Sequence, residues 1–192
     1  MLRKLITPAL KISRRYKESE SGATAIEFAM VAFPFFAMLG VIMETGAMMF
    51  TEYGLQAAVQ EAARTARTGQ AQGGAKTIAD FKTLICNNAA LGSSCAAKLT
   101  VYSNSYSSWA QLAANMPSFT NIGLKDDGTA NPNTYKLGAP VCPSSLVATY
   151  DWTFTMPMMN YMGNIQGNKA RRLVGFAMFQ TEPYPSAGGA AC

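Results

Sequence analysis

From Phe28 to Met43 the chain carries no charged side chain, and from Phe28 to Phe50 it carries only Glu44. As a helix, that stretch reaches ~34 Å at ~1.5 Å per residue, about the hydrocarbon thickness of a bilayer with a little to spare. The uncharged part alone is slightly short, which puts Glu44 near the far interface, within reach of water or a partner. A carboxylate at the other edge, Glu27, directly precedes the run. Charge at the margin of a membrane helix costs several kcal/mol unless it is paired, so Glu27 is a candidate functional residue on physical grounds alone.

Only 14% of the 192 residues are charged while 49% are hydrophobic, and the net charge is +5. The excess is local. Residues 1–22 hold Arg3, Lys4, Lys11, Arg14, Arg15 and Lys17 against Glu18 and Glu20. The rest of the chain is nearly neutral, so a nucleic-acid partner is not indicated. Cations packed just before an apolar run place the N-terminus in the cytoplasm and the remainder outside.

All four cysteines, Cys86, Cys95, Cys142 and Cys192, then fall on the exported side. An even count in an oxidising compartment points to two disulfides with three possible pairings. The short local loop favours Cys86–Cys95, which leaves Cys142–Cys192.

The organisation reads as a basic leader (1–22), a transmembrane and then amphipathic helix (23–69), and an exported α+β domain (70–192). Past the apolar run, Glu52, Gln56, Gln60, Glu61, Arg64 and Arg67 interleave with Leu55, Ala58, Val59, Ala62, Ala63 and Ala66 at close to helical period. Gly69, Gly73 and Gly74 end that helix. Pro34 removes one backbone bond inside it. Either it allows local unwinding when the helix leaves lipid, or it is a tolerated kink. A second helix is expected over residues 76–90. Strands are expected at Lys98–Tyr102, Leu146–Thr155 and Arg172–Gln180, and a short helix at Ser107–Met116. The fold class is α+β, with a small antiparallel sheet packed against the long helix.

Chemistry is scarce. The chain has no histidine, which removes Ser–His and Cys–His nucleophilic pairs and His-type zinc sites. Gly69–Gly74 with Lys76-Thr77 lacks phosphate-loop spacing. Met156, Met158, Met159 and Met162 offer thioether sulfur to Cu(I), with core or interface packing as the plainer account. Asp126, Asp127, Asn131 and Asn133 do not follow calcium-loop spacing. Neither a cofactor, a metal nor a catalytic role is expected.

Gly22-Ala-Thr-Ala-Ile-Glu27-Phe28-Ala29, followed by Pro34 and by Glu44 and Gly46, resembles the processing region of a type IV prepilin. The wider pattern is similar to the TadE-like minor pseudopilins of the tight-adherence (Tad/Flp) pilus. Ala62-Ala63-Arg64, the strand from Val147 to Trp152 and the closing Glu182-Pro183-Tyr184 add to the likeness. Phe28 stands where many such pilins carry tyrosine, and both are aromatic.

The resemblance implies cleavage between Gly22 and Ala23 by a prepilin peptidase. The mature subunit would initiate, cap or join a thin adhesive pilus. Its partners would be the inner membrane, an assembly platform, other minor pseudopilins and the major pilin. Glu27 would neutralise the new α-amine, in its own chain or a neighbour's, and set the register between subunits. Phe28, Pro34 and Glu44 would contribute to assembly. The competing expectations are an uncleaved single-pass periplasmic scaffold, or a binding domain secreted behind a conventional signal sequence.

Overall fold

The computed structural model describes residues 22–74, 76–89, 91–92, 94–116, 136, 138–165, 170–184 and 192. The leader up to residue 21, the Asp126-Asp127-Gly128 turn, Asn131-Pro132 and Asn133 lie outside the described residues. Two compact units divide the chain, Met1–Met43 and Glu44–Cys192.

In the first unit the described chain is helical. It forms the N-terminal part of helix α1 (Ala23–Arg67), which runs uninterrupted through Pro34. Many of its large side chains, among them Phe28, Phe33, Phe36 and Ile42, are exposed. The most apolar 18-residue window of α1 has a mean hydropathy of 2.1 and none of it is buried. A helix of that length and composition is able to cross a membrane once.

The second unit is an α+β domain. The C-terminal part of α1 buries Leu55, Ala58, Val59, Ala62, Ala63 and Ala66, the small-residue face expected from the periodicity. The helix stops at Arg67, two residues before the expected end. Gly69 then adopts φ +76°, and a further single turn, α2 (Gln70–Gly73), follows the stop.

Helix α3 (Ile78–Asn88) is started by a capping box at Thr77 and Asp80 and buries Phe81 and Ile85. It is two residues shorter at either end than expected, because the cap fixes its start and Ala89 closes it through an N–H bond to Ile85. A short turn, α4 (Cys95–Lys98), which periodicity had not announced, leads into the sheet.

Strands β1 (Leu99–Ser105), β2 (Pro143–Thr153) and β3 (Ala170–Gln180) form one antiparallel sheet in the order β1-β2-β3. Between β1 and β2 lies the short helix α5 (Trp109–Ala114), capped by the Ser108 hydroxyl accepting the Gln111 N–H. Leu99, Val101, Leu146, Ala148, Tyr150, Leu173 and Ala177 share the core with the buried face of α1. The helix therefore packs on the sheet as the α+β reading required.

β2 starts three residues earlier than its apolar pattern suggested. Pro143, Ser144 and Ser145 pair with Gln180, Phe179 and Met178, so tertiary pairing overrides the polar sequence. Cys86 is bonded to Cys95 and Cys142 to Cys192, each with Cα atoms 5.7 Å apart.

Candidate functional site: the N-terminal helix and its seat on the sheet

Gly22 precedes the first residue of α1 and is exposed, with no atom within 4 Å of where a Cβ would stand. Ala23, Glu27, Phe28 and Pro34 follow along the same helical segment, and all are exposed. Glu27 lies four residues after Ala23, about one helical turn, so the two positions share a face.

Glu44 behaves differently from the expectation of a carboxylate reaching for water or another subunit. It is only 8% exposed. Its Oε1 accepts the Thr155 N–H, and its Oε2 accepts the Met156 N–H at 3.0 Å. The partner is the backbone just past the end of β2, where the strand has run out of ladder bonds. A carboxylate holding two backbone donors is a charge-assisted clamp. It joins the first residue of the globular unit to the segment that follows β2.

Further along α1, two glutamines and two close approaches at glycines seat the helix on its surroundings. The Gln56 Nε2 donates to the Phe176 carbonyl at 2.9 Å, while the Phe176 N–H donates to Gln56 Oε1 at 3.0 Å. Gln60 Nε2 adds a second bond to the same carbonyl at 3.2 Å. At Gly175 a Cβ would meet Val59 Cγ2 at 3.0 Å and the Leu55 carbonyl at 3.1 Å. At Gly54 it would meet the Ala89 carbonyl at 2.9 Å. Helix, sheet and α3 thus approach each other through two glycines, where a side chain would hold them apart.

The end of α1 is tied to the tail by the residues that closed the resemblance. The Glu182 N–H donates to the Arg67 carbonyl at 2.9 Å, and the two side chains pair at 3.3 Å. The Tyr184 ring lies against Gly69, and its hydroxyl donates to the Gly138 carbonyl at 2.7 Å. Burial pushes the Tyr184 phenol above its ordinary pKa.

On the far face of the sheet, Asp151 and Arg172 oppose each other across β2 and β3 and pair through two bonds of 2.8 and 3.0 Å. Asp151 lines an open cleft of about 670 Å³ together with Lys98, Thr100 and Asn160. The acid there is held by its guanidinium partner, an arrangement that braces strands.

Sequence reasoning found the Glu44, Glu182 and Tyr184 positions but not their partners. It missed the roles of Gln56, Gly54 and Gly175. Gln56 looked like one more polar residue on the exposed face, and a glycine within a strand pattern was the sole hint at Gly175.

No curated protein and no solved structure matches the chain. Residues 22–64 match the family model described as TadE-like protein. The matched stretch begins at Gly22 and takes in Glu27, Pro34, Glu44 and the buried Ala62-Ala63 pair. Over residues 22–64, therefore, the chain is similar to TadE-like proteins.

Proposed function

We propose that this protein is a minor pseudopilin, cleaved between Gly22 and Ala23 by a prepilin peptidase and assembled into, or at the start of, a tight-adherence pilus. The observation that carries this reading is the coincidence of two boundaries. The TadE-like match begins at Gly22 and helix α1 at Ala23, and α1 itself is long and apolar enough to cross a membrane. A glycine before the scissile bond suits an extended backbone in a protease groove, since it has no side chain to obstruct the approach.

Cleavage frees an α-amine with a reference pKa near ~8, largely protonated at neutral pH. Glu27, one turn on, neutralises it within the chain or in the neighbouring subunit. In lipid an unpaired charge is expensive and a paired one less so. The pairing therefore favours one axial register over its neighbours. The basic leader keeps the N-terminus cytoplasmic and the disulfide-bonded domain periplasmic. Function then lies in helix packing and surface complementarity rather than in chemistry.

Intact mass and N-terminal sequencing of the protein from its native membrane, with and without the peptidase, test the reading. A peptidase-dependent N-terminus at Ala23 is expected. A retained leader makes the protein a permanent anchor. An N-terminus near Met48 makes it a conventionally secreted domain.

A further inference from the structure

The cleft at the end of the sheet is built from elements that are each fixed from behind. Lys98 closes α4, which the Cys86–Cys95 bond ties to α3. Thr100 comes from β1. Asp151 and Thr153 come from the end of β2, still paired in register with Arg172 and Ala170 of β3. Beyond β2 the chain forms a 3-10 turn, Pro157–Met162, which supplies Asn160. Met159 in that turn is buried, and its N–H donates to the Met156 carbonyl at 2.9 Å. The Glu44 carboxylate holds the backbone N–H groups of Thr155 and Met156, just before the turn. The walls are therefore set before any ligand arrives, which lowers the ordering cost of binding.

The polar groups that line this cleft are short of partners. Among the described residues, the side chains of Lys98, Thr100, Thr153 and Asn160 form no hydrogen bond or ion pair with the rest of the protein. Asp151 is bound but not used up. Arg172, only 9% exposed, donates Nε to Oδ1 and Nη2 to Oδ2, while the Asp151 side chain stays 38% exposed. A carboxylate has about four acceptor positions, so about two remain. Phe154 adds ring surface to the lining: it packs on the core and is half-buried.

This combination selects among ligand classes. A small anion meets the Asp151 carboxylate and a small cation meets Lys98, and like charges in contact repel. An apolar ligand would strip water from five polar groups and return no bond to them. Neighbouring hydroxyl groups fit, because each both donates and accepts. Lys98 donates to them, Asp151 accepts from them, and Thr100, Thr153 and Asn160 do both. A sugar ring carries such hydroxyls around its rim and C–H groups on its face, and the face suits the Phe154 ring.

We propose that the cleft is a saccharide site, with Asp151 and Asn160 as the central hydroxyl-binding groups and Lys98 at its edge. Its volume of about 670 Å³ lies within the range of small-molecule sites, roughly 300–1,000 Å³.

The test uses the full chain with both disulfides intact, labelled with nitrogen-15, in phosphocholine micelles that contain no sugar detergent. Short oligomers of glucose, galactose, N-acetylglucosamine and galacturonate are each titrated into the millimolar range while amide shifts are followed. At least one is expected to move the amides of Thr100, Asp151, Thr153 and Asn160 saturably. The galacturonate and neutral arms distinguish a carboxylate from a hydroxyl at Lys98. Asn160→Ala and Lys98→Ala should each weaken that binding roughly fivefold, as loss of one hydrogen bond implies, with the remaining strand amides unmoved. Failure of every oligomer to saturate the cleft amides overturns the site. So does saturable binding that both variants leave unchanged. Cleft amides that shift with protein concentration before any sugar is added overturn it in favour of a contact between copies.

Discussion

Gln56 completes the sheet edge at Phe176. Its side-chain amide donates to the Phe176 carbonyl and accepts the Phe176 N–H, at 2.9 and 3.0 Å, as the next strand would have done. β3 is an outer strand of the three. An unpaired outer strand is a template for unwanted strand addition. Here one glutamine on α1 satisfies it in the middle, and the same pair of bonds fixes how the helix lies on the sheet.

Gln56→Ala should destabilise the protein by about 1–3 kcal/mol, the cost of leaving backbone groups without their bonds less whatever water restores. Gln60 keeps one bond to the Phe176 carbonyl, so the double variant Gln56→Ala/Gln60→Ala should lose more than Gln56→Ala alone. Thermal and urea unfolding of the full chain in detergent check this. Gln56→Glu should also destabilise, because a carboxylate accepts the N–H but has nothing to donate to the carbonyl.

Three glycines within regular elements should respond in opposite directions to a single methyl group. At Gly46 on α1 a Cβ meets nothing within 4 Å, so Gly46→Ala should stabilise by about 0.5–1 kcal/mol through helix propensity. At Gly54 the same gain is opposed by the Ala89 carbonyl 2.9 Å away, and at Gly175 by Val59 and Leu55. Gly54→Ala and Gly175→Ala should both destabilise, by roughly 1–3 kcal/mol as overpacked cores do. Equal midpoints for all three variants would show that α1 moves freely on its neighbours.

The long helix, its small-residue face and the strand cores were legible because burial imposes a period that residue type reveals. Leu55, Ala62 and Ala66 lie where 3.6-residue spacing puts them. Leu99 and Val101 lie where alternation does. The seat of the helix was not legible, since it depends on what is missing at Gly54 and Gly175 and on one amide among several similar polar residues. Glu44 was visible as an anomaly, but a sequence cannot show that its partners are the N–H groups of Thr155 and Met156, more than a hundred residues away. The early start of β2 was hidden for the same reason. Ser144 and Ser145 become strand by pairing with Phe179 and Met178, not by their own preference.

The start of α3 should be sensitive to acid. Asp80 accepts the Thr77 N–H at 2.7 Å and the Thr77 hydroxyl at 2.9 Å. The backbone bond first, then the hydroxyl and nearby Lys76, hold its carboxyl below the ordinary carboxylate range. The folded pKa lies below the unfolded one. The stabilisation is therefore complete above the unfolded value near ~3.9 and is lost as pH falls through the folded value. Asp80→Asn should unfold more readily than the parent near neutral pH, and the gap should narrow in acid. Urea midpoints of the two proteins from neutral pH down to acid measure it. A gap that stays constant would assign the effect to something other than the carboxylate.

The two disulfides should contribute unequally. Cys86–Cys95 closes a separation of 9 residues and Cys142–Cys192 one of 50. By loop-closure entropy these are worth about 2.5 and about 4 kcal/mol. The longer link also fixes the chain end beside the start of β2. Cys142→Ser/Cys192→Ser should therefore lower the denaturation midpoint more than Cys86→Ser/Cys95→Ser, as paired substitutions that leave no odd thiol. The reverse order would mean that the α3–α4 turn depends on its bond for more than chain entropy.

Glu44 should be hard to replace. Removing its carboxylate in Glu44→Ala strands two N–H donors beside a buried cavity, at about 1–3 kcal/mol each. Glu44→Gln keeps one acceptor oxygen, but its amide group turns a donor toward the other N–H. Alanine and glutamine should therefore both destabilise, and glutamine should not restore the parent. Aspartate retains the charge but is one methylene shorter, so it should hold one N–H at most. Amide hydrogen exchange at Thr155 and Met156 separates these cases. Both amides should exchange fast in Glu44→Ala, and one should remain protected in Glu44→Gln and in Glu44→Asp. Protection of both in Glu44→Ala would mean that the turn after β2 is held closed by its own packing at Met159 and does not depend on the carboxylate.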